Sequence, residues 1–214
     1  VASFNGYSDI IFGNIIGSNN FNLFIILGIA GLIYPIKVQS TTVWREIPIS
    51  LIATILFFGL ANNFFINQNL DISRLDGILL FCSLLCFLYY ISKQLKQEKP
   101  SEFTYDNMSN YKIAALVIFG IAGLIFGGKL VVDNAVTIAT DLGVSQKIIG
   151  LTIIAAGTSL PELVTSVVAA FKKNSDIAIG NVIGSNIFNI LLILSLSSFV
   201  NPITYSSIFN QDLL

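Results

Sequence analysis

The chain has 214 residues, of which 54% are hydrophobic and 11% charged, with a mean hydropathy of +0.81 and a net charge of −1. A soluble domain ordinarily carries about 25% charged residues, so the composition excludes an ordinary soluble protein and indicates an integral membrane protein. There is no histidine, which removes the usual Ser–His hydrolytic pair and the commonest transition-metal ligand.

In chain order, residues 1–8 read as the tail of a helix and a short loop. A first apolar segment runs from about Asp9 to Tyr34 and stops at Pro35, because the residue before a proline avoids helical geometry. A second runs from about Trp44 to Phe65, with Trp44 placed as an interfacial aromatic. A third, about Leu75 to Leu95, holds Cys82 and Cys86 on one helix face; both are expected to be small buried packing residues. A polar linker, 96–111, then separates the two halves, 1–95 and 112–214. Three more segments follow: about Lys112 to Thr140, Gln146 to Phe171 and Asp176 to Val200. Each approaches or exceeds the roughly 20 residues needed to cross a bilayer. No strand pattern competes, and the expected fold class is all-α. The chain opens at Val1 with neither methionine nor signal peptide, and is expected to be incomplete at both ends.

Lys37, Arg45, Lys93, Lys96, Lys99, Lys112, Lys172 and Lys173 fall on one side of this topology, against Arg74 and Lys147 on the other. The positive-inside rule makes the first side, with linker 96–111, cytoplasmic. Residues 1–36 also align with 168–203 at a constant offset of 167, with 18 of 36 positions identical. The last segment is the fifth after the first, so the two copies cross in opposite directions. Inverted repeats of this kind are a transporter signature, with the substrate site near the midplane where the copies meet.

The polar residues inside these spans carry the chemistry. Gly157-Thr158-Ser159-Leu160-Pro161-Glu162 interrupts the fifth segment. A carboxylate at membrane depth costs roughly 2.5–3.5 kcal/mol on insertion scales, and a bound cation would offset that. Pro161 frees the Gly157 carbonyl, Ala155 and Ala156 keep the backbone approachable, and Thr158, Ser159 and Glu162 lie three or four apart on one face. Such an all-oxygen set suits hard cations such as Ca²⁺ and Na⁺, although a proline kink with back-bonded hydroxyls accounts for every residue except Glu162. Asn181, Ser185 and Asn189 form a stripe at spacing four, repeated as Asn14, Ser18 and Asn22; interhelical hydrogen bonding is the plainer reading. Asn19 and Asn186 read as packing or capping residues, Gly13, Gly17, Gly180 and Gly184 as close-packing positions, and Ser8, Asp9, Ser175 and Asp176 as helix caps. Lys129 and Asp133, four apart, could pair on one helix face.

GTSLPE followed by GNVIGSNIFN resembles the second α-repeat of the sodium/calcium exchangers, in the cation/Ca²⁺ antiporter superfamily, and GNIIGSNNFN resembles the end of the first. The resemblance implies ten transmembrane helices, with about six present here as the third to eighth, and a prokaryotic-type antiporter of the plasma (inner) membrane. It implies cation ligands at Thr158, Ser159, Glu162 and the Ala155 carbonyl in the fifth segment, Ser185 and Asn189 in the sixth, and Ser18 and Asn22 in the first. The first repeat's glutamate would fall before Val1. Some members carry aspartate at the position of Asn189, whereas both copies here carry asparagine, which leaves one acidic ligand per repeat.

The expected function is exchange of Na⁺ for Ca²⁺ by alternating access, with no cofactor, no enzymatic activity and no nucleic-acid partner. Proton- or potassium-coupled Ca²⁺ exchange on the same architecture, a cation channel and a non-transporting packing protein remain as alternatives.

Overall fold

The computed structural model describes residues 8–38, 42–62, 71–97, 109–144, 152–153 and 155–213. The expected features at residues 1–7, most of the linker and residues 145–151 with their Lys147 lie outside them. Its helices are α1 (Ser8–Ile33), α2 (Ile47–Ala61, entered through a π-helical turn, Thr42–Glu46), α3 (Arg74–Gln97), α4 (Asn110–Asp141), α5 (Ala155–Thr158), α6 (Leu160–Phe171), α7 (Ser175–Val200) and α8 (Asn210–Leu213). Among the described residues, five spans, Ser8–Ile33, Trp44–Ala61, Arg74–Gln94, Asn110–Asp141 and Ser175–Val200, are long and apolar enough to cross a membrane. A membrane helix satisfies its own backbone polar groups within the segment, and nearly every apolar segment read from the sequence is therefore a helix.

The fifth segment departs from that pattern. Instead of one helix from 146 to 171, its described part is broken at Ser159 into α5 and α6. Ser159 adopts φ −99° and ψ 7°, and Pro161, the second residue of α6, has no N–H with which to continue the ladder of α5. The all-helical expectation also gains a small exception. Asp71–Ile72 (β1) pairs antiparallel with Ile203–Thr204 (β2), joining the turn before α3 to the end of α7.

The two copies keep their likeness in three dimensions. α1 contains a π-helical turn at Phe21–Ile26, and α7 contains one at Asn189–Ile193, within a residue of the position the 167-residue offset requires. Both helices end one residue before an X-Pro pair, at Tyr34 and Asn201, each in extended geometry.

The core lies among α1, α2, α3, α7 and the β1–β2 pair. Phe12 stacks on Phe57 at 5.9 Å and meets Tyr205 edge-on at 5.0 Å, tying α1 and α2 to the segment after α7. α3 packs along the second half of α7, α6 along its first half, and the second half of α1 against α6. Gly77 makes the α3–α7 contact possible, since a Cβ there would overlap the Ser198 hydroxyl. In α4 the buried residue is Ala139 alone among those described, and the helix touches α5 and α6 along one flank.

Three expectations are corrected. Cys82 and Cys86 share a face but are exposed rather than buried among the described residues. Gly13, Gly17, Gly180 and Gly184 make no close contact among the described residues, where a Cβ at any of them would meet nothing within 4 Å. At the start of α7 the cap is Asn174, whose Oδ1 accepts from the Ile177 N–H at 3.2 Å. Ser175 and Asp176 already lie in the first turn, and Ser8 and Asp9 hold the same places in α1. An acidic residue there still favours the helix through its dipole.

Candidate cation site

The break at Ser159 sets two half-helix ends against each other. The C-terminal end of α5 carries partial negative charge and unspent carbonyls, while the N-terminal end of α6 carries partial positive charge. Discontinuous membrane helices use this arrangement to hold ions. Ala155 opens α5, Thr158 closes it, and Glu162 lies in the first turn of α6. Ser159-Leu160-Pro161-Glu162 has the sequence of a capping box, yet Ser159 makes no side-chain cap bond. Ser159 is 2% exposed.

The structure brings several of the expected ligands together across the two copies. The Ser18 and Thr158 hydroxyls lie 3.3 Å apart, and Thr158 donates to Asn14 Oδ1 at 3.2 Å. Asn22 Nδ2 donates to Ser185 Oγ at 2.9 Å. Asn189, by contrast, turns its nitrogen to Asn19 Oδ1 at 2.9 Å, and Asn181 donates to the Glu162 carbonyl and to Ser166 Oγ. Asn14 and Asn181 thus serve as helix-to-helix links, the plainer of the two sequence readings.

Two side-chain oxygens in this network are buried and accept no hydrogen bond from the described residues: Glu162 Oε2 and Asn22 Oδ1. Asn22 is 1% exposed. Each unpaired buried polar atom costs on the order of 1–3 kcal/mol, more when charged. Both are hard oxygen donors, the kind Ca²⁺ and Na⁺ take. Among the described residues there is no group of three or more His, Cys, Asp and Glu able to hold a metal.

Thr158, Gly157 and Pro161 also face a cavity of about 280 Å³ against α4, where Lys129 and Asp133 join the lining. Gly157 permits that contact, because a Cβ on it would overlap the Val132 side chain.

Sequence reasoning gave Asn19 and Asn186 a packing or capping role but missed that they are each other's partners. They are equivalent under the 167-residue offset, and each donates to the other's backbone carbonyl: Asn19 Nδ2 to Asn186 O at 3.4 Å and Asn186 Nδ2 to Asn19 O at 3.3 Å. The pseudo-twofold axis therefore passes between them. The available signal was an asparagine kept at both equivalent positions, away from the two polar stripes.

The family described as sodium/calcium exchanger protein matches residues 1–93 and 112–214. This chain belongs to that family. It is 36% identical over 209 residues to the putative antiporter CaxA of Alkalimonas amylolytica, covering 94% of this chain and 64% of that protein. It is 29% identical over 238 residues to the sodium/calcium exchanger MaX1 of Methanosarcina acetivorans, covering 95% and 68%. A shorter match, 39% identical over 110 residues, covers 47% of the chain and 17% of the chicken sodium/potassium/calcium exchanger 2. A solved structure of the sodium-calcium exchanger NCX_Mj, soaked with Na⁺ and Sr²⁺, superposes with a TM-score of 0.80 at 31% identity, covering 99% of this chain and 67% of that one. The chain thus spans about two thirds of the length of its full-length relatives, and it is an integral membrane protein of a transporter family rather than of an enzyme family.

Proposed function

We propose that this chain forms the larger part of an antiporter that exchanges Na⁺ for Ca²⁺ by alternating access. Its cation site is built from Glu162, Thr158, Ser159 and the Ala155 carbonyl on the broken helix, Ser185 and Asn189 on α7, and Ser18 and Asn22 on α1. The observation that carries this reading is the pair of buried, unpartnered oxygens, Glu162 Oε2 and Asn22 Oδ1, where the two inverted copies meet. Family membership and the likeness to NCX_Mj support it. Residues 1–95 and 112–214 are the two inverted halves, and the charge pattern puts linker 96–111 on the cytoplasmic side of the inner membrane.

Both ions are cargo. Each neutralises the same carboxylate, so the site holds one set or the other. A site emptied of both leaves a buried charge uncompensated, which is costly. That cost disfavours crossing without cargo and couples the two fluxes. Glu162 supplies charge; the hydroxyls and amides supply ligand number without charge, which lets the site accept either ion. The match to a sodium/potassium/calcium exchanger adds K⁺ as a second candidate counter-ion.

The test is ⁴⁵Ca²⁺ uptake by proteoliposomes holding the full-length protein, loaded with Na⁺, K⁺, both together or choline, with and without Glu162→Gln. Uptake that requires internal Na⁺ and disappears in Glu162→Gln supports the reading. Uptake in choline removes sodium coupling, and uptake stimulated by K⁺ together with Na⁺ moves the protein to the potassium-dependent class. Full uptake by Glu162→Gln removes the proposed site.

A further inference from the structure

The asparagine pair on the pseudo-twofold axis acts on the ligands beside it, through two backbone carbonyls. A carbonyl can only accept a hydrogen bond. The carbonyls of Asn19 and Asn186 each face the side chain of the other residue, at 3.3 and 3.4 Å, so the atom facing them is Nδ2 in both. The Oδ1 atoms of both residues are thereby turned away and left as acceptors. Into them point the nitrogens of the next polar residues: Asn22 Nδ2 onto Asn186 Oδ1 and Asn189 Nδ2 onto Asn19 Oδ1, both at 2.9 Å. These four bonds are two pairs related by the repeat.

Asn22 and Asn189 are the two amides assigned above to the cation site, and an amide has a wrong way round. Turned one way it offers a cation an oxygen; turned the other it offers an N–H₂ group, which repels the cation. Asn22 spends its nitrogen on Asn186 Oδ1 and on Ser185 Oγ. Ser185 gives its own hydrogen to the Val182 carbonyl at 3.1 Å, so its oxygen accepts. The Asn22 oxygen is then forced to the opposite side, where it lies buried and without a partner. Asn186 is itself 3% exposed, so bulk solvent does not compete for its oxygen.

We propose that Asn19 and Asn186 are positioning residues that lock the amides of Asn22 and Asn189 with their oxygens toward the cation site. Each copy of the repeat orients the ligand of the other. The inference rests on the cation site proposed above.

The experiment is a double-mutant cycle in the full-length protein, reading KM for Ca²⁺ and kcat from ⁴⁵Ca²⁺ exchange. Asn186→Leu removes the acceptor with a side chain of similar size. It is expected to raise KM about 10–100-fold, as loss of groups that orient metal ligands does, with kcat little changed. Asn22→Asp supplies a carboxylate, which presents an oxygen whichever way it turns. In that background, adding Asn186→Leu is expected to change KM by no more than about twofold, the scatter of independent sites. Asn19→Leu, read with and without Asn189→Asp, is the repeat-related cycle; it carries the same expectation and serves if Asn186→Leu fails to fold. Equal losses in both backgrounds, or a fall in kcat at constant KM, overturns the positioning role. The thermal midpoint of each protein is measured with Ca²⁺, Na⁺ and K⁺ alongside. A wild-type midpoint indifferent to all three removes the cation site and this inference together. A midpoint that responds without ⁴⁵Ca²⁺ exchange overturns antiport alone, and the cycle is then read from the Ca²⁺ concentration giving half the thermal shift.

Discussion

Gly157→Ala tests the contact that seats the broken helix against α4. The new Cβ would overlap Val132 Cγ2, while Val132 Cβ and Cγ1 would lie at 3.4 and 3.5 Å, ordinary contact distances. The clash is therefore with a single methyl group. Valine in a helix holds one χ1 rotamer in about 90% of cases, so the methyl does not swing away freely. Overpacking of this kind costs about 1–3 kcal/mol, or roughly 2–10 °C in thermal midpoint for a protein of this size. The backbone shift would fall on Thr158, the next residue, and pull it from Ser18 and Asn14, so Ca²⁺ uptake should fall with stability. Val132→Ala removes the offending methyl. In that background Gly157→Ala should become neutral or stabilising by up to about 1 kcal/mol, the helix preference of alanine over glycine. The assay is the thermal midpoint of the detergent-solubilised full-length protein for all four members of the cycle. A Gly157→Ala loss that persists in full in the Val132→Ala background would refute this reasoning, and would place the need for glycine in the backbone of α5 rather than in its contact with α4.

Glu162→Gln should raise the midpoint of the cation-free protein, because it neutralises a buried unpartnered oxygen worth on the order of 1–3 kcal/mol. The same variant should lose stabilisation by Ca²⁺: a ligand at 100 times its Kd adds about 2.7 kcal/mol to the wild type, and only about 0.4 kcal/mol once Kd rises about a hundredfold. A lower cation-free midpoint with Ca²⁺ stabilisation intact would show that the carboxylate is held by partners instead of a cation. Asn174→Ala should cost about 1 kcal/mol through loss of the α7 cap, whereas Ser175→Ala should cost less; the reverse order of midpoints would return the cap to Ser175. Gly77→Ala should cost about 1–3 kcal/mol by driving a Cβ into Ser198, with Ser198→Ala relieving most of it, and an unchanged midpoint would mean that α3 and α7 are not in contact there.

The apolar segments, their helical state and the repeat were legible in the sequence because each is recorded locally. A run of apolar residues in lipid has to satisfy its own backbone, and the helix is the way a single segment does so. Pro161 likewise announced a disturbed helix, since a missing N–H acts within one turn, although the sequence did not show that the helix would separate into α5 and α6 at Ser159. The sequence misled at Cys82, Cys86 and the four glycines, which were assigned to tight interfaces; spacing puts residues on one helix face but does not say which neighbour, if any, that face meets.

What only the tertiary structure decided is which polar groups find partners. Asn14, Asn19, Asn22, Asn181, Asn186 and Asn189 are alike in composition and nearly alike in spacing. Their roles separate when α1 and α7, read in opposite directions, are brought side by side. Asn19 and Asn186 then meet on the axis between the copies, Asn14 and Asn181 bridge to the broken helix, and Asn22 keeps an oxygen that no donor reaches. Hydrogen bonds between residues 140 to 170 positions apart depend on where whole helices sit, and no local pattern records that. The sequence by itself determined a membrane protein with an internal repeat and a carboxylate inside an apolar segment; the packing of the copies against each other decided which oxygens were left without a partner among the described residues.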